Sequence, residues 1–195
     1  MKLRSVAVAF ALTVCATGLL AQGPKPTPVS LWHNVLGVIN GKRLLPGSKR
    51  FQPGSRNADY YTIDGVNEIA RAYVLKHHGV VQCSNFPNGS LLIKQNYDVS
   101  HKLVNITAML KCKGYDTADN DWVMANYSPA GKAIAFGKVA LCINCHAIAA
   151  KSDTVFAPPP ANLLSPKTIH VYFPAKKITI PYLKLLKKYP HSIMQ

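Results

Sequence analysis

Apolar and polar positions recur along this chain with several different periods, and each period predicts an element. Leu31, Val35, Leu36 and Val38 fall at helix-like spacing between Ser30 and Asn40 and stop at Gly41, which predicts a short helix. From Leu44 to Asn57 the chain carries Pro46, Gly47, Pro53 and Gly54 among cationic residues, so an irregular surface segment is expected there. Within Asp64–His77, Ala70–Leu75 reads as a strand. The turn signal Phe86-Pro87-Asn88-Gly89 launches a second strand over Ser90–Tyr97. Leu103–Cys112 returns beside it, with Val104, Ile106, Ala108, Leu110 and Cys112 sharing a face that should be buried. A polar turn over Gly114–Asp121 leads into another strand at Trp122–Tyr127.

The pattern then changes. Ser128 can cap a helix, Pro129 suits its first turn, and the following residues are rich in Ala, so a helix is expected to about Ala150. The proline run after Ala157 forbids helix, and Tyr182–Tyr189 predicts a short basic amphipathic helix packed on the domain with its lysines in water. Successive strands with helices around them make the fold class α+β, an antiparallel β-sheet with flanking helices.

Composition narrows the setting. A chain of 195 residues that is 48% hydrophobic can bury one ordinary core with short appendages, and five cysteines are too few to replace that core with disulfides. Lys2 and Arg4 followed by the uncharged stretch Val6–Leu20 read as an export signal over residues 1–22, with Cys15 discarded alongside it. The expected location is therefore periplasmic or an equivalent compartment outside the cytoplasm. Residues 23–40 read as a linker and short helix, and 166–195 as a basic C-terminal extension. Removing the signal takes the formal charge only from +15 to +13, so the mature surface stays basic and suits an acidic partner. No nucleic-acid-binding motif is present, and nucleic acid is not expected as a partner.

Cys142-Ile143-Asn144-Cys145-His146 is the Cys-x-x-Cys-His arrangement that attaches haem c. Two thiols three residues apart on one helical turn can each form a thioether to the porphyrin, and the adjacent imidazole of His146 can bind the iron. One such motif implies one haem, covalently attached. A thioredoxin-like dithiol or half a zinc site would need a surrounding βαβ pattern or a second Cys pair, and neither occurs. The second ring nitrogen of His146 requires an acceptor that the sequence does not identify.

The other face of the iron decides between electron transfer and binding of a small gas. His77, His78, His101, His170 and His191 read as surface residues, and Met109 and Met124 as core. Cys83 and Cys112 are left as either a structural disulfide or a source of a thiolate iron ligand. Cys112, on the apolar face of its strand, ranks ahead of Cys83 as that distal ligand.

Several segments in order resemble the cytochrome P460 and cytochrome c′-β family. These are Gly41-Lys42-Arg43-Leu44-Leu45-Pro46, Arg71, Phe86 to Lys94, Gly137-Lys138-Val139 followed by Cys142–His146, and Asp153-Thr154-Val155-Phe156. The resemblance spans about Gly41 to Phe156 and places a haem domain at 41–165. It implies one haem held between an antiparallel sheet and the Cys-x-x-Cys-His helix, usually in a dimer, of like chains or with a same-fold subunit. It aligns Arg71 with the family's distal arginine and Lys94 with the lysine that P460 members cross-link to haem while oxidising hydroxylamine.

Two functions follow as expectations. The leading one is an exported cytochrome that binds NO or CO, exchanges electrons, or both, with an acidic redox protein as partner. The alternative is a hydroxylamine oxidoreductase with Lys94 joined to the haem and Arg71 orienting substrate. Catalysis needs a proton acceptor. Yet Glu68 is the single glutamate, and Ala125–Lys151 contains no acid, which favours the first expectation.

Overall fold

The computed structural model describes residues 24–44, 51–56 and 59–194; the expected signal and Cys15 lie outside the described residues. Helix α1 (Pro28–Val38) begins at a reciprocal cap. The Ser30 N–H donates to the Thr27 hydroxyl at 3.1 Å, the Thr27 N–H donates to the Ser30 hydroxyl at 2.8 Å, and Pro28 presets the first turn. Leu31 and Val35 on its inner face are fully buried, each contributing about 2 kcal/mol. The short helix expected between Ser30 and Asn40 is therefore present, begins at Pro28 and supplies part of the core.

Six strands follow as an antiparallel meander in sequence order: β1 (Gln52–Arg56), β2 (Asp59–Val66), β3 (Leu91–Tyr97), β4 (Leu103–Lys111), β5 (Trp122–Tyr127) and β6 (Ala133–Gly137). Helix α2 (Glu68–Lys76) joins β2 to β3, and α3 (Ala140–His146) follows β6. This is the α+β class expected from the sequence. Alternation along the strands sends Leu92, Met109, Trp122 and Met124 to one face, where they pack with Ala70 and Val74 of α2. Leu91, Ile93, Ile106, Ala108, Val123 and Ala125 take the opposite face, beneath α1. Both faces are covered, which is why the central strands are apolar at consecutive positions.

Ile106 and Ala108 are buried as expected from the alternation in β4, but Val104 near the strand's start is exposed, and Met109 and Lys111 on the other face are buried too. Other local expectations fail for identifiable reasons. Ala70–Leu75 is helix: Asn67 caps it by accepting from the Ala70 N–H at 3.1 Å, Glu68 sits in the first turn, Lys76 in the last, and Ala, Arg and Leu favour helix. His77 and His78 thus follow a helix. Gln52–Arg56, expected to be irregular, forms the sheet's edge, where Pro53 costs no central ladder bond. A Cβ at Gly54 would collide with the Asp59 carbonyl, so close approach of β1 to β2 requires glycine there. The long helix expected from Ser128 is instead a turn, a strand and a two-turn helix. The Ser128 hydroxyl accepts from the Lys132 N–H at 3.1 Å, and Gly131 adopts φ +84° to reverse the chain into β6.

The tail folds as a small satellite. Strand β7 (Leu163–Leu164) precedes α4 (Pro166–Tyr172) and α5 (Ile180–Lys188), and pairs in parallel with β8 (Ile193–Met194). Leu163, Ile169, Tyr182 and Leu186 form its core, so in packing it begins slightly before the expected boundary at 166. It is fastened to β1: the Thr179 hydroxyl donates to the Gly54 carbonyl at 2.6 Å and the Thr179 N–H to the Ser55 carbonyl at 3.1 Å. An otherwise open sheet edge is thereby covered.

Candidate functional site

The sequence motif lies on α3 with Cys142, Cys145 and His146 three and four positions apart, the spacing that stacks side chains along one helix face. Val139, Cys142 and Ile143 pack against the cluster containing Leu92, Met109 and Met124, while Cys145 is buried. Burial raises both thiols above their ordinary range, opposed by the positive charge of Lys94. Raised thiols are poor nucleophiles, which argues against a reactive dithiol. Among the described residues no three His, Cys, Asp or Glu side chains converge as a metal-holding group.

His146 is oriented by the turn that follows it. Its Nδ1 lies 2.7 Å from the Thr154 carbonyl; since a carbonyl only accepts, Nδ1 carries the proton and Nε2 keeps its lone pair. Here is the acceptor that the sequence left unidentified. Withdrawal from water pulls the imidazole down to about 4, against the effect of the Thr154 bond and with that of Lys94, so the ring is neutral. Phe156 meets the ring at 5.1 Å.

The Thr154 carbonyl reaches this position because Asp153 and Thr154 both adopt left-handed backbone, φ +54° and +62°. Such conformations strain residues other than glycine by about 1 kcal/mol each and persist only where surroundings hold them. Asp153 is the restraint. Its carboxylate accepts from the Phe86 N–H at 2.7 Å and from the Lys111 ammonium at 2.9 and 2.7 Å, and its carbonyl accepts from Trp122 Nε1 at 2.9 Å. Lys111 and Asp153, 7% and 2% exposed, form a buried ion pair between β4 and the exit turn.

A second polar group reaches the motif from the sheet. Asp59 on β2 is buried; its Oδ2 lies 2.8 Å from Arg56 Nη2 and 3.5 Å from the half-exposed Lys94 Nζ on β3. The charges of Lys94 and, less strongly, Arg56 oppose the burial that raises the Cys145 thiol, so these two cations act on the motif. The spacing of residues gave no sign of Asp59 or Arg56, because their meeting with Lys94 depends on strand register. Arg71, on α2, is half-buried, and its charge acts on Glu68. Among the described residues no side-chain hydrogen bond or ion pair joins it to the motif.

Cys83 and Cys112 are both free, correcting the expectation of a disulfide. They pack on opposite faces of the sheet. Cys83 shares the motif's cluster, whereas Cys112, the one ranked first from the sequence as a distal ligand, packs with Tyr115 and Phe136 on the far side. Burial, reinforced by the negative charge of Asp153, pushes the Cys83 thiol up to about 11, and its Sγ lies 3.4 Å from the Gly79 carbonyl. Met109 and Met124 are buried as expected, and His101 is stacked on Tyr61 at 4.4 Å.

A Cys-x-x-Cys-His helix against one face of an antiparallel sheet marks a c-type cytochrome of the sheet-built kind. The chain belongs to the cytochrome P460 family, whose model matches residues 58–157, from the start of β2 through the exit turn. The match holds Arg71, Lys94 and the entire motif but not the opening segment at 41–46, where the resemblance was expected to begin. No curated protein matches the chain. Family membership implies a haem c cofactor, and the donor set suits one: two thiols at the helix flank and a neutral imidazole with Nε2 free.

Proposed function

We propose that this chain is an exported monohaem cytochrome, with haem c joined to Cys142 and Cys145, ligated by His146 and lying between α3 and the sheet face bearing Leu92, Met109 and Met124. The observation that carries this reading is the His146–Thr154 bond, which fixes the tautomer an iron ligand needs. When bound, the haem supplies a redox-active iron with a position for a small ligand. The chain's own residues do the rest. Thr154 orients the imidazole, Asp153 holds Thr154 in place, and the apolar cluster keeps water from the motif side of the sheet. Low polarity in that cluster favours neutral diatomics such as NO and CO, and electron exchange with an acidic redox protein suits the charge of +13 that remains without residues 1–22. Export rests on the segment 1–22; among the described residues no helix is long and apolar enough to cross a membrane.

One observation favours a second reading, a hydroxylamine oxidoreductase with Lys94 linked to the haem. Lys94 acts electrostatically on Cys142, Cys145 and His146, and beside it stands Asp59, a carboxylate able to accept protons. The reduced protein's optical spectrum separates the two. An ordinary ferrous haem c spectrum with reversible CO binding supports the first reading, and a strongly red-shifted ferrous band with Lys94 missing from the unmodified peptide map supports the second. A matured protein without iron refutes both.

A further inference from the structure

Outside the matched family domain, the chain from Pro158 to Gln195 contains six lysines, at 167, 176, 177, 184, 187 and 188, and neither Asp nor Glu. All six are exposed. The satellite that carries them is registered to the candidate haem site by contacts with both walls of it. The Tyr172 hydroxyl donates at 3.0 Å to the carbonyl of Asn144, inside the Cys-x-x-Cys-His motif. The Phe173 ring lies 3.7 Å from the Arg56 guanidinium, the same group that grips Asp59. Ile178 pairs with Arg56 as an isolated bridge.

On this satellite a groove of about 520 Å³ is lined by Pro166, Ile180, Leu183, Lys184, Lys187 and Ile193. Ile180 is 67% and Leu183 40% exposed, so an apolar floor lies open inside a cationic rim. We propose that this face is a docking surface for an acidic redox protein, which it brings alongside the haem-attachment helix; the proposal rests on the cytochrome reading above.

Charge complementarity selects the occupant. A rim of lysines without a compensating acid attracts a carboxylate-rich surface over roughly one Debye length, about 8 Å at physiological salt, and a small apolar centre adds a contact that orients it. An anionic membrane fits less well. Helix α5 has nine residues, and its Tyr182, Leu185 and Leu186 are committed to the satellite's own core, so little apolar face is left to enter lipid.

The test uses the haem-loaded full chain with a purified acidic flavodoxin as probe, measuring binding by titration calorimetry and electron transfer by stopped flow. The triple variant Lys184→Glu, Lys187→Glu, Lys188→Glu is compared with Lys102→Glu, Lys113→Glu, Lys132→Glu, an equal charge change at exposed sites on the sheet's turns. The satellite variant is expected to lose about tenfold or more in affinity and rate at low salt, with a flattened salt dependence, and the turn variant less than about threefold. Equal losses in both variants, or none in the satellite variant, overturn the proposal. So does a satellite-dependent sedimentation with vesicles of phosphatidylcholine and phosphatidylserine that is unmatched by flavodoxin binding. Binding that tracks the satellite without electron transfer overturns the redox role proposed for the surface, whereas a matured chain that carries no haem sinks the cytochrome reading on which the proposal rests.

Discussion

Replacing Lys111 with Met tests how His146, the proposed iron ligand, is held. Methionine keeps an unbranched apolar stem over the Trp122 ring, which the Lys111 ammonium now approaches at 5.0 Å, but removes the charge. Asp153 is then a carboxylate 2% exposed with the Phe86 N–H as its remaining side-chain donor. Breaking a buried pair from one side costs about 3–5 kcal/mol, and the surviving Phe86 bond puts the expected loss near the lower end, about 3 kcal/mol. Adding Asp153→Asn removes the stranded charge while an amide oxygen still accepts from Phe86. The double variant should therefore recover to within about 1 kcal/mol of the parent.

Urea unfolding of the haem-loaded protein, followed by tryptophan fluorescence and far-ultraviolet dichroism together, measures both values and shows whether the transition is two-state. A Lys111→Met loss below about 1 kcal/mol, or a double variant no more stable than the single, would refute the account of Asp153 as the restraint on the exit turn. A spectroscopic readout belongs with it. If the turn loosens, the Thr154 carbonyl bonds His146 less well, the imidazole becomes a weaker donor, and the reduction potential should rise in both variants.

Three further outcomes are expected. Thr27→Ala removes one half of the α1 cap and should cost about 1 kcal/mol by urea unfolding, leaving the haem spectrum unchanged. Gly131→Ala places a Cβ against the Trp32 ring at φ +84° and should cost more than about 1 kcal/mol, with Trp32 fluorescence altered. Cys83 stays protonated in the fold up to about 11, whereas the unfolded thiol ionises near 9.0. Its contribution to stability is complete below pH 9.0 and is lost as pH rises from there to about 11, a slope that Cys83→Ala should remove, and in the native protein alkylation at pH 8 should modify Cys112 well before Cys83.

What could be read in the sequence was whatever is settled within a few residues. The Phe86–Gly89 turn and the apolar runs after it identify β3 to β5, and the attachment motif is legible because its chemistry is its spacing. Helix starts show where local reading ends. Thr27-Pro28 and Ser165-Pro166 each begin a helix, and Ser128-Pro129 carries the same signature yet begins a hairpin. The difference lies in Gly131 and in β5, whose Met124, Ala125 and Asn126 stand ready to pair with Gly137, Phe136 and Ala135. An Ala-rich segment with a strand already waiting beside it becomes a strand; a propensity of a few tenths of a kcal/mol per residue cannot outweigh that pairing. The site's polar parts were hidden for the same reason. Lys111 and Asp153 are 42 positions apart, and Asp59 meets Lys94 across a register set by the whole sheet.

These hidden pairs also explain why the site differs in kind from one built by the motif alone. Covalent attachment fixes a haem's position at one edge, but its electronics depend on what holds the histidine and on the charges nearby. In this chain each is tied to a different part of the fold. The exit turn is held from β4 and β5 by Lys111 and Trp122, and Lys94 is held from β2 by Asp59, whose other partner, Arg56, is gripped by the satellite through Phe173. Lys94 therefore stands between the Asp59 carboxylate and a motif whose buried thiols its positive charge partly relieves. Arg56 thus links Phe173 of the satellite to the carboxylate that meets Lys94. The tail that lies outside the matched family domain is thus mechanically connected to the lysine on which the choice between the two proposed activities turns.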